Sequence, residues 1–231
     1  MSKVIVMAAL AAAAGVAQAG DLYLQTFDAQ GVGYSTSVTE FSDGNGDFFT
    51  QTDGTSNIGS FVNYSGADGS FFAGMDLDGE GAGLPLELTT STFSIDGASN
   101  LQFAIDLAED DDGSNQDWDD SDYVTVEYSI DGGLWTTIFD IESGVTGFNN
   151  EPMVNGVAVT DAFSTFNADL SGLSGSTMAI RLVWNLNAGD EDLAIDNIRL
   201  TGDIAVVPLP TAALAGIGML GLMAGARMRR K

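Results

Sequence analysis

The densest chemistry in this chain is a run of carboxylates. Residues 109–122 hold eight acids, Glu109, Asp110, Asp111, Asp112, Asp117, Asp119, Asp120 and Asp122, around Gly113, Ser114 and Asn115. Carboxylates this close repel one another, and calcium relieves the repulsion because it accepts roughly six to eight oxygens in flexible geometry. Asp110, Asp112 and Asp117 are the candidate ligands. The aspartate spacing, central glycine and closing glutamate of an EF-hand are missing, so a solvated acidic loop stands beside the ion-binding reading. Asp43, Asn45 and Asp47 alternate as in a second, shorter calcium loop, with Phe48 following where such a loop would continue with polar residues.

Catalysis has less to draw on. The chain has no histidine and no cysteine, and its only lysines are Lys3 and Lys231. Ser-His-Asp and Cys-His mechanisms are excluded, and zinc loses its usual ligands. Carboxylates remain the only acid and base groups, but no pair of them stands in a recognisable motif. A binding protein is therefore expected rather than an enzyme, with a carboxylate-dependent glycan hydrolase or lyase, or a purely structural envelope component, as the alternatives. Aromatic faces stack on pyranose rings. Trp118, in a polar loop among Asp117, Asp119 and Asp120, is the candidate for such stacking, whereas Trp135 and Trp184 fall on strands and are assigned to the core. Phe48-Phe49 and Phe71-Phe72 point to opposite faces if they lie on strands, which would leave one of each pair free to reach solvent.

Charge narrows the partners. All 33 acids lie between Asp21 and Asp203 against two arginines there, Arg181 and Arg199, a net charge of −31 for that segment. Such a field repels nucleic acid and anionic membrane surfaces and attracts cations, and self-repulsion weakens the compact state unless salt or bound ions screen it.

These groups need a scaffold, and the middle of the chain reads as strands throughout. Segments 22–27, 58–64, 71–77, 86–95, 101–107, 123–130, 134–141, 163–170, 178–186 and 193–201 carry the apolar blocks. Tyr123, Thr125, Glu127 and Ser129 alternate with Val124, Val126, Tyr128 and Ile130, the period of a half-buried strand. Asp131-Gly132-Gly133 then turns the chain into Leu134-Trp135-Thr136 as a hairpin. Short strands separated by Gly, Asp, Asn and Ser, without helical periodicity, predict an all-β, two-sheet antiparallel β-sandwich, a jelly roll, as one domain over 20–204. With no cysteine, it rests on its apolar core alone.

Both ends read as targeting segments. Lys3 followed by an alanine-rich apolar run to Val16, then Ala17-Gln18-Ala19, matches a signal peptide over 1–19, its helix removed by signal peptidase before Gly20. At the other end, 205–231, Val207-Pro208-Leu209-Pro210 precedes an apolar stretch over 211–226 and a basic tail of Arg227, Arg229, Arg230 and Lys231. As a helix 211–226 would span about 24 Å, marginal for a bilayer core, with the basic cluster kept on the cytoplasmic side.

The last segment resembles the proline-glutamate-proline C-terminal (PEP-CTERM) sorting signal of bacteria. Leu209 stands where the glutamate usually is, a variant that family also shows. The resemblance implies recognition by a membrane-embedded exosortase, cleavage near the motif, and delivery to the cell surface or extracellular matrix. A plain uncleaved membrane anchor is the alternative reading of the same residues. The segments 123–133 and 193–200, the latter Leu-Ala-Ile-Asp-Asn-Ile-Arg-Leu, resemble extracellular jelly-roll modules of the carbohydrate-binding and MAM-like kind. That resemblance implies a structural calcium held by Asp196 with Asp28 as partner, and extracellular polysaccharide as a ligand; an aspartate that merely bonds a neighbouring loop is the alternative for Asp196.

Overall fold

The computed structural model describes residues 18–110, 118–144, 147 and 150–204. Residues 1–17 of the expected signal segment, Ala17 among them, the sorting tail with Val207, Pro208 and its hydrophobic helix, and Asp112 and Asp117 lie outside these residues, whereas Ala19 and Gly20 of the expected cleavage site fall in the first strand. Among the described residues there is no helix. The strands are β1 (Gln18–Gln25), β2 (Tyr34–Thr36), β3 (Phe41–Ser42), β4 (Phe48–Thr52), β5 (Phe71–Met75), β6 (Leu86–Thr90), β7 (Phe93–Ser94), β8 (Ala98–Ala108), β9 (Tyr123–Ile130), β10 (Thr136–Ser143), β11 (Pro152–Val154), β12 (Val157–Ala158), β13 (Ser164–Asp169), β14 (Thr177–Asn185) and β15 (Asp192–Ile204).

Antiparallel pairs assemble these strands into two sheets of a β-sandwich. The first runs β13-β8-β15-β5-β4-β3, with β1 also on β15; the second runs β12-β11-β10-β9-β14-β6-β2, with β7 on β14. The alternation predicted from sequence explains which faces meet. Met178, Ile180, Leu182 and Trp184 of β14 are buried, as are Val124 and Val126 of β9 and Leu86 and Leu88 of β6. They meet Leu101, Phe103, Ile105 and Leu107 of β8 and Leu193 and Ile195 of β15 in one core. At Asn197, which has φ +48°, β15 changes parity, so that Ile198 and Leu200 carry on the core-facing side.

The hairpin between β9 and β10 closes as expected. Asp131 and Gly132 take φ of +51° and +70°, and the Gly133 N–H bonds the Ile130 carbonyl at 2.8 Å. Asp131 Oδ1 also accepts the N–H groups of Ser176 and Thr177, which ties the turn to the start of β14 and holds its carboxyl below the usual range.

Two expectations fail here for one reason. Segment 58–64 is a loop, not a strand, and it lies over the outer side of the first sheet. There Ile58 and Val62 join Phe48, Phe71, Ala73, Met75 and Ala194 in a second apolar cluster. Consequently both members of Phe48-Phe49 and of Phe71-Phe72 are buried: the first of each under this loop, the second in the inter-sheet core. Phe72 sits at the centre of the aromatic packing, 4.8 Å from Phe49, 5.7 Å from Tyr34 and 6.2 Å from Trp184 by ring centroids.

Phe72→Ala is expected to cost about 3–5 kcal/mol by denaturant unfolding, whereas Phe61→Ala, on the exposed side of the covering loop, costs less than about 1 kcal/mol. Similar small losses for both would contradict this placement of the core.

Candidate functional site

Three groups of acids and one sheet face hold the chemistry of the described residues. The first group gathers where β15 begins. Asp192, only 2% exposed, accepts the Tyr64 O–H at 2.6 Å and the Asp110 N–H at 3.1 Å on the same oxygen. Beside it Glu191 Oε2 accepts the N–H groups of Asn187 and Ala188, and Asp122 accepts from the Asp119 N–H and the Asn187 side-chain amide. Asp119, Asp122 and Glu191 each bring a carboxylate oxygen within 4.8 Å of the others, close enough for one cation to touch all three.

Burial dominates the titration of this group. It pushes the Asp192 carboxyl up to about 7, the Tyr64 and Asp110 hydrogen bonds opposing and the charges of Asp110 and Asp190 reinforcing. Glu191 is raised by burial and then by the charge of Asp122; Asp122 is raised by burial against the Asp119 N–H that it accepts. Tyr64, for its part, is held far above the ordinary phenol range by burial and by Asp192.

The second group joins two loops. Asp43 Oδ1 accepts the N–H groups of Asn45, at 2.6 Å, and Asp47, at 3.2 Å, and Asp43, Asp47 and Glu80 offer oxygens within 4.8 Å of one another. Burial, then the charge and hydrogen bond of Asp47, raise Asp76 to about 6. Glu80 was not foreseen; its signal in sequence is the alternation Asp76, Asp78, Glu80 ahead of Gly81.

The third group is centred on Asp196, 1% exposed on the outer side of β15. Burial raises its carboxyl to about 7, the Asn197 N–H opposes, and the charges of Asp106, Asp28 and Asp68 add to the rise. The fold thus brings Asp28 into the neighbourhood of Asp196. Asp28 is itself held by the Thr26 hydroxyl at 2.8 Å and the Ser70 N–H at 3.2 Å, and the Asn197 amide bridges Asp106 and Asp196.

Trp118 does not offer a stacking face. It is 0% exposed, its Nε1 donates to the Asp192 carbonyl at 3.1 Å, and its backbone bridges Asn150. The indole closes the end of the core while Asp119 and Asp120 turn outward, because one large apolar ring gains more from burial than its acidic neighbours cost when solvated. Trp184 is buried as well, and Trp135 is the indole that reaches solvent. It follows two glycines at the return of the hairpin, and that position was its signal in sequence. The Arg181 guanidinium lies 4.5 Å from its ring centroid and fixes it on the outer face of the second sheet. Trp135 lines a cleft of about 200 Å³ with Thr89, Thr92, Ser129 and Thr177. At the other end of β9 a second cleft, of about 330 Å³, lies between Tyr123, Glu142 and Asp119, Asp120 and Asp122.

No protein-family model matches the sequence, and no curated protein sequence matches it. Among solved structures, the chain is similar to the K3 cleaved adhesin domain of Lys-gingipain from Porphyromonas gingivalis, at 14% identity and TM-score 0.46 over 78% of this chain and 98% of that one. It is similar to a xylan-binding domain from CBM 22, at 10% identity and TM-score 0.42 over 82% and 98% of the two chains. It is also similar to the Stig cyclase Fisc from Fischerella sp., at 15% identity and TM-score 0.43 over 82% and 100%.

The raised carboxyls set a direction for stability against pH. Folded Asp192 keeps a proton that the unfolded chain has released above its ordinary value of 3.8, so between about 4 and 7 the folded state binds more protons and stability falls as pH rises. In chelator, the unfolding free energy is expected to decline from pH about 5 to about 7, and Asp192→Asn to flatten that decline. A profile that rises over the window, or one that the substitution leaves unchanged, would refute the assignment.

Proposed function

We propose that this chain is an exported, non-catalytic β-sandwich protein of the cell surface or extracellular matrix that is stabilised by calcium and binds polysaccharide. The observation that carries the ligand reading is Trp135, an indole held by Arg181 at a cleft walled with hydroxyls. An aromatic ring beside hydroxyl donors and acceptors suits a pyranose, which has an apolar face and a rim of hydroxyls. The sorting-signal resemblance of 205–231 supports the location: signal peptidase would free the chain before Gly20, and an exosortase-like enzyme would act near Val207-Pro208-Leu209-Pro210, with 211–226 and Arg227, Arg229, Arg230 and Lys231 in the membrane until then.

Calcium is proposed for the clustered acids because both arginines of the domain are already paired elsewhere. Arg181 pairs with Glu87 and Glu127, and Arg199 with Asp21. Asp196 with Asp28, the Asp43–Asp47–Glu80 group and the Asp119–Asp122–Glu191 group are the candidate sites, supplying the oxygen ligands that a hard cation prefers. Asp110, bonded to Asp192 through its backbone, borders the last of these.

A carboxylate-dependent glycan hydrolase is the second reading, favoured by the cleft in which Glu142 stands across from Asp119, Asp120 and Asp122.

Millimolar calcium at pH 7.5 is expected to raise the thermal midpoint of the full chain by several degrees, chelator to reverse it, and Asp196→Asn to diminish the shift. No change with calcium would contradict ion-stabilised folding. On a panel of soluble polysaccharides, Trp135→Ala is expected to weaken binding about five- to thirtyfold, the loss of one stacked ring being worth on the order of 1–2 kcal/mol, and Trp118→Phe to leave it intact. Unchanged binding in the Trp135 variant would sink the site, and release of reducing sugar would favour the hydrolase.

A further inference from the structure

The outer face of the second sheet is laid out by its registers. One row across the strands is Thr89, Arg181, Glu127 and Thr137; the next is Glu87, Val183, Thr125 and Asp140. Among the described residues Arg181 is the one arginine on this face, since Arg199 lies on β15 of the other sheet and pairs with Asp21 at 2.6 Å. Every nitrogen of the Arg181 fork is directed at a carboxylate: Nε and Nη2 reach Glu127 Oε2 at 2.8 and 2.6 Å, and Nη1 reaches Glu87 Oε1 at 3.0 Å. A guanidinium facing a site is the natural receptor for a uronate carboxylate or a sulfate, because its fork matches two anionic oxygens. Here that fork is occupied from within the sheet, while its flat side rests against Trp135.

We infer that the Trp135 cleft selects uncharged glycans, and that Glu87 and Glu127 set this selectivity by locking Arg181. The inference rests on the polysaccharide reading of that cleft and names the class of ligand that it takes. Beyond the lock, Asp140 and Glu142 stand on the same face along β10, so an anionic polymer meets uncompensated negative charge wherever it extends from the cleft. The cleft itself offers the Thr89 and Thr92 hydroxyls, while those of Ser129 and Thr177 already donate to the Gly133 carbonyl and to Asp131 and keep only acceptor capacity; with no free cation, the set suits neutral hydroxyl groups. A small field effect reaching from the rest of the domain acts in the same sense, since that domain carries 33 acids against two arginines.

Neutral and carboxymethylated forms of the same glucan, mannan and xylan, titrated against the full chain by calorimetry, isolate charge from backbone structure. The neutral form of at least one polymer is expected to bind, with affinity changing less than about threefold between about 0.05 and 0.5 M NaCl, and its carboxymethylated form to bind at least tenfold more weakly at the lower salt. The double variant Glu87→Gln, Glu127→Gln, which frees the Arg181 fork, is expected to gain at least tenfold for the carboxymethylated polymer. Should that variant fail to fold by circular dichroism, Glu127→Gln alone and the salt series on the unaltered chain carry the test. A carboxymethylated polymer that binds the unaltered chain as tightly as its neutral form, and is lost in Trp135→Ala, would overturn the selectivity while leaving the glycan site standing. Absence of binding by every polymer would overturn the polysaccharide reading and the selectivity with it.

Discussion

Carboxylates outnumber cationic side chains so heavily in this domain that the fold buries acids with nothing of opposite sign to face them. Arg181 is held by Glu87 and Glu127, and Arg199 by Asp21, yet Asp122, Glu191, Asp192 and Asp196 are all buried. A carboxylate withdrawn from water without a partner is costly, and three remedies exist: hydrogen bonds to the anion, a retained proton, or a cation from solution. The first is in place at each site. Asp192 has the Tyr64 hydroxyl and the Asp110 amide, Glu191 the amides of Asn187 and Ala188, and Asp196 that of Asn197. It does not suffice, since burial still lifts the carboxyls of Asp192 and Asp196 to about 7. At neutral pH proton and metal ion are therefore closely balanced as ways to neutralise these acids, and the proposed calcium binding rests on that balance.

That balance has an address in the fold. Phe48 at the start of β4 pairs with Met75 at the end of β5, which pairs with Asp192 at the start of β15. Tyr123 at the start of β9 pairs with Asn185 at the end of β14. The loops bearing Asp43, Asp47, Asp76, Asp119, Asp122 and Glu191 adjoin these strand ends, so two of the three acid groups gather there. Asp131 turns at the opposite end of β9, beside Trp135 and its hydroxyl-lined cleft. Separating a charge-dense end from an aromatic, hydroxyl-walled one would keep these proposed calcium sites away from the proposed glycan cleft.

The sandwich was legible because the period of two is a backbone property that side-chain burial follows. The alternation in 123–130 pointed to β9, the apolar block at 178–186 to β14, and Asp131-Gly132-Gly133 to the hairpin. Segment 58–64 misled because apolar residues that cover a sheet and apolar residues that build one look alike over seven positions. The short strands β2, β3, β11 and β12 had no signal of their own, since pairing with a neighbour rather than local sequence makes them. Trp118 and Trp135 exchanged roles for a related reason. Local polarity around Trp118 spoke for exposure, whereas its burial depends on the Asp192 carbonyl 74 positions away. Likewise Glu80 and Glu191 join their acid groups only through loop juxtaposition, whereas Asp43 and Asp47 lie close in the chain.

Proton release on calcium binding tests the central claim most directly. If the buried carboxyls hold protons that calcium displaces, the heat of calcium binding at pH 7 measured in buffers of different ionisation enthalpy reports protons released per ion, and the release fades towards pH 9, where the acids are already ionised. Calcium heat that is independent of buffer at pH 7, or no calcium heat at all, would contradict an acid core poised between proton and metal ion.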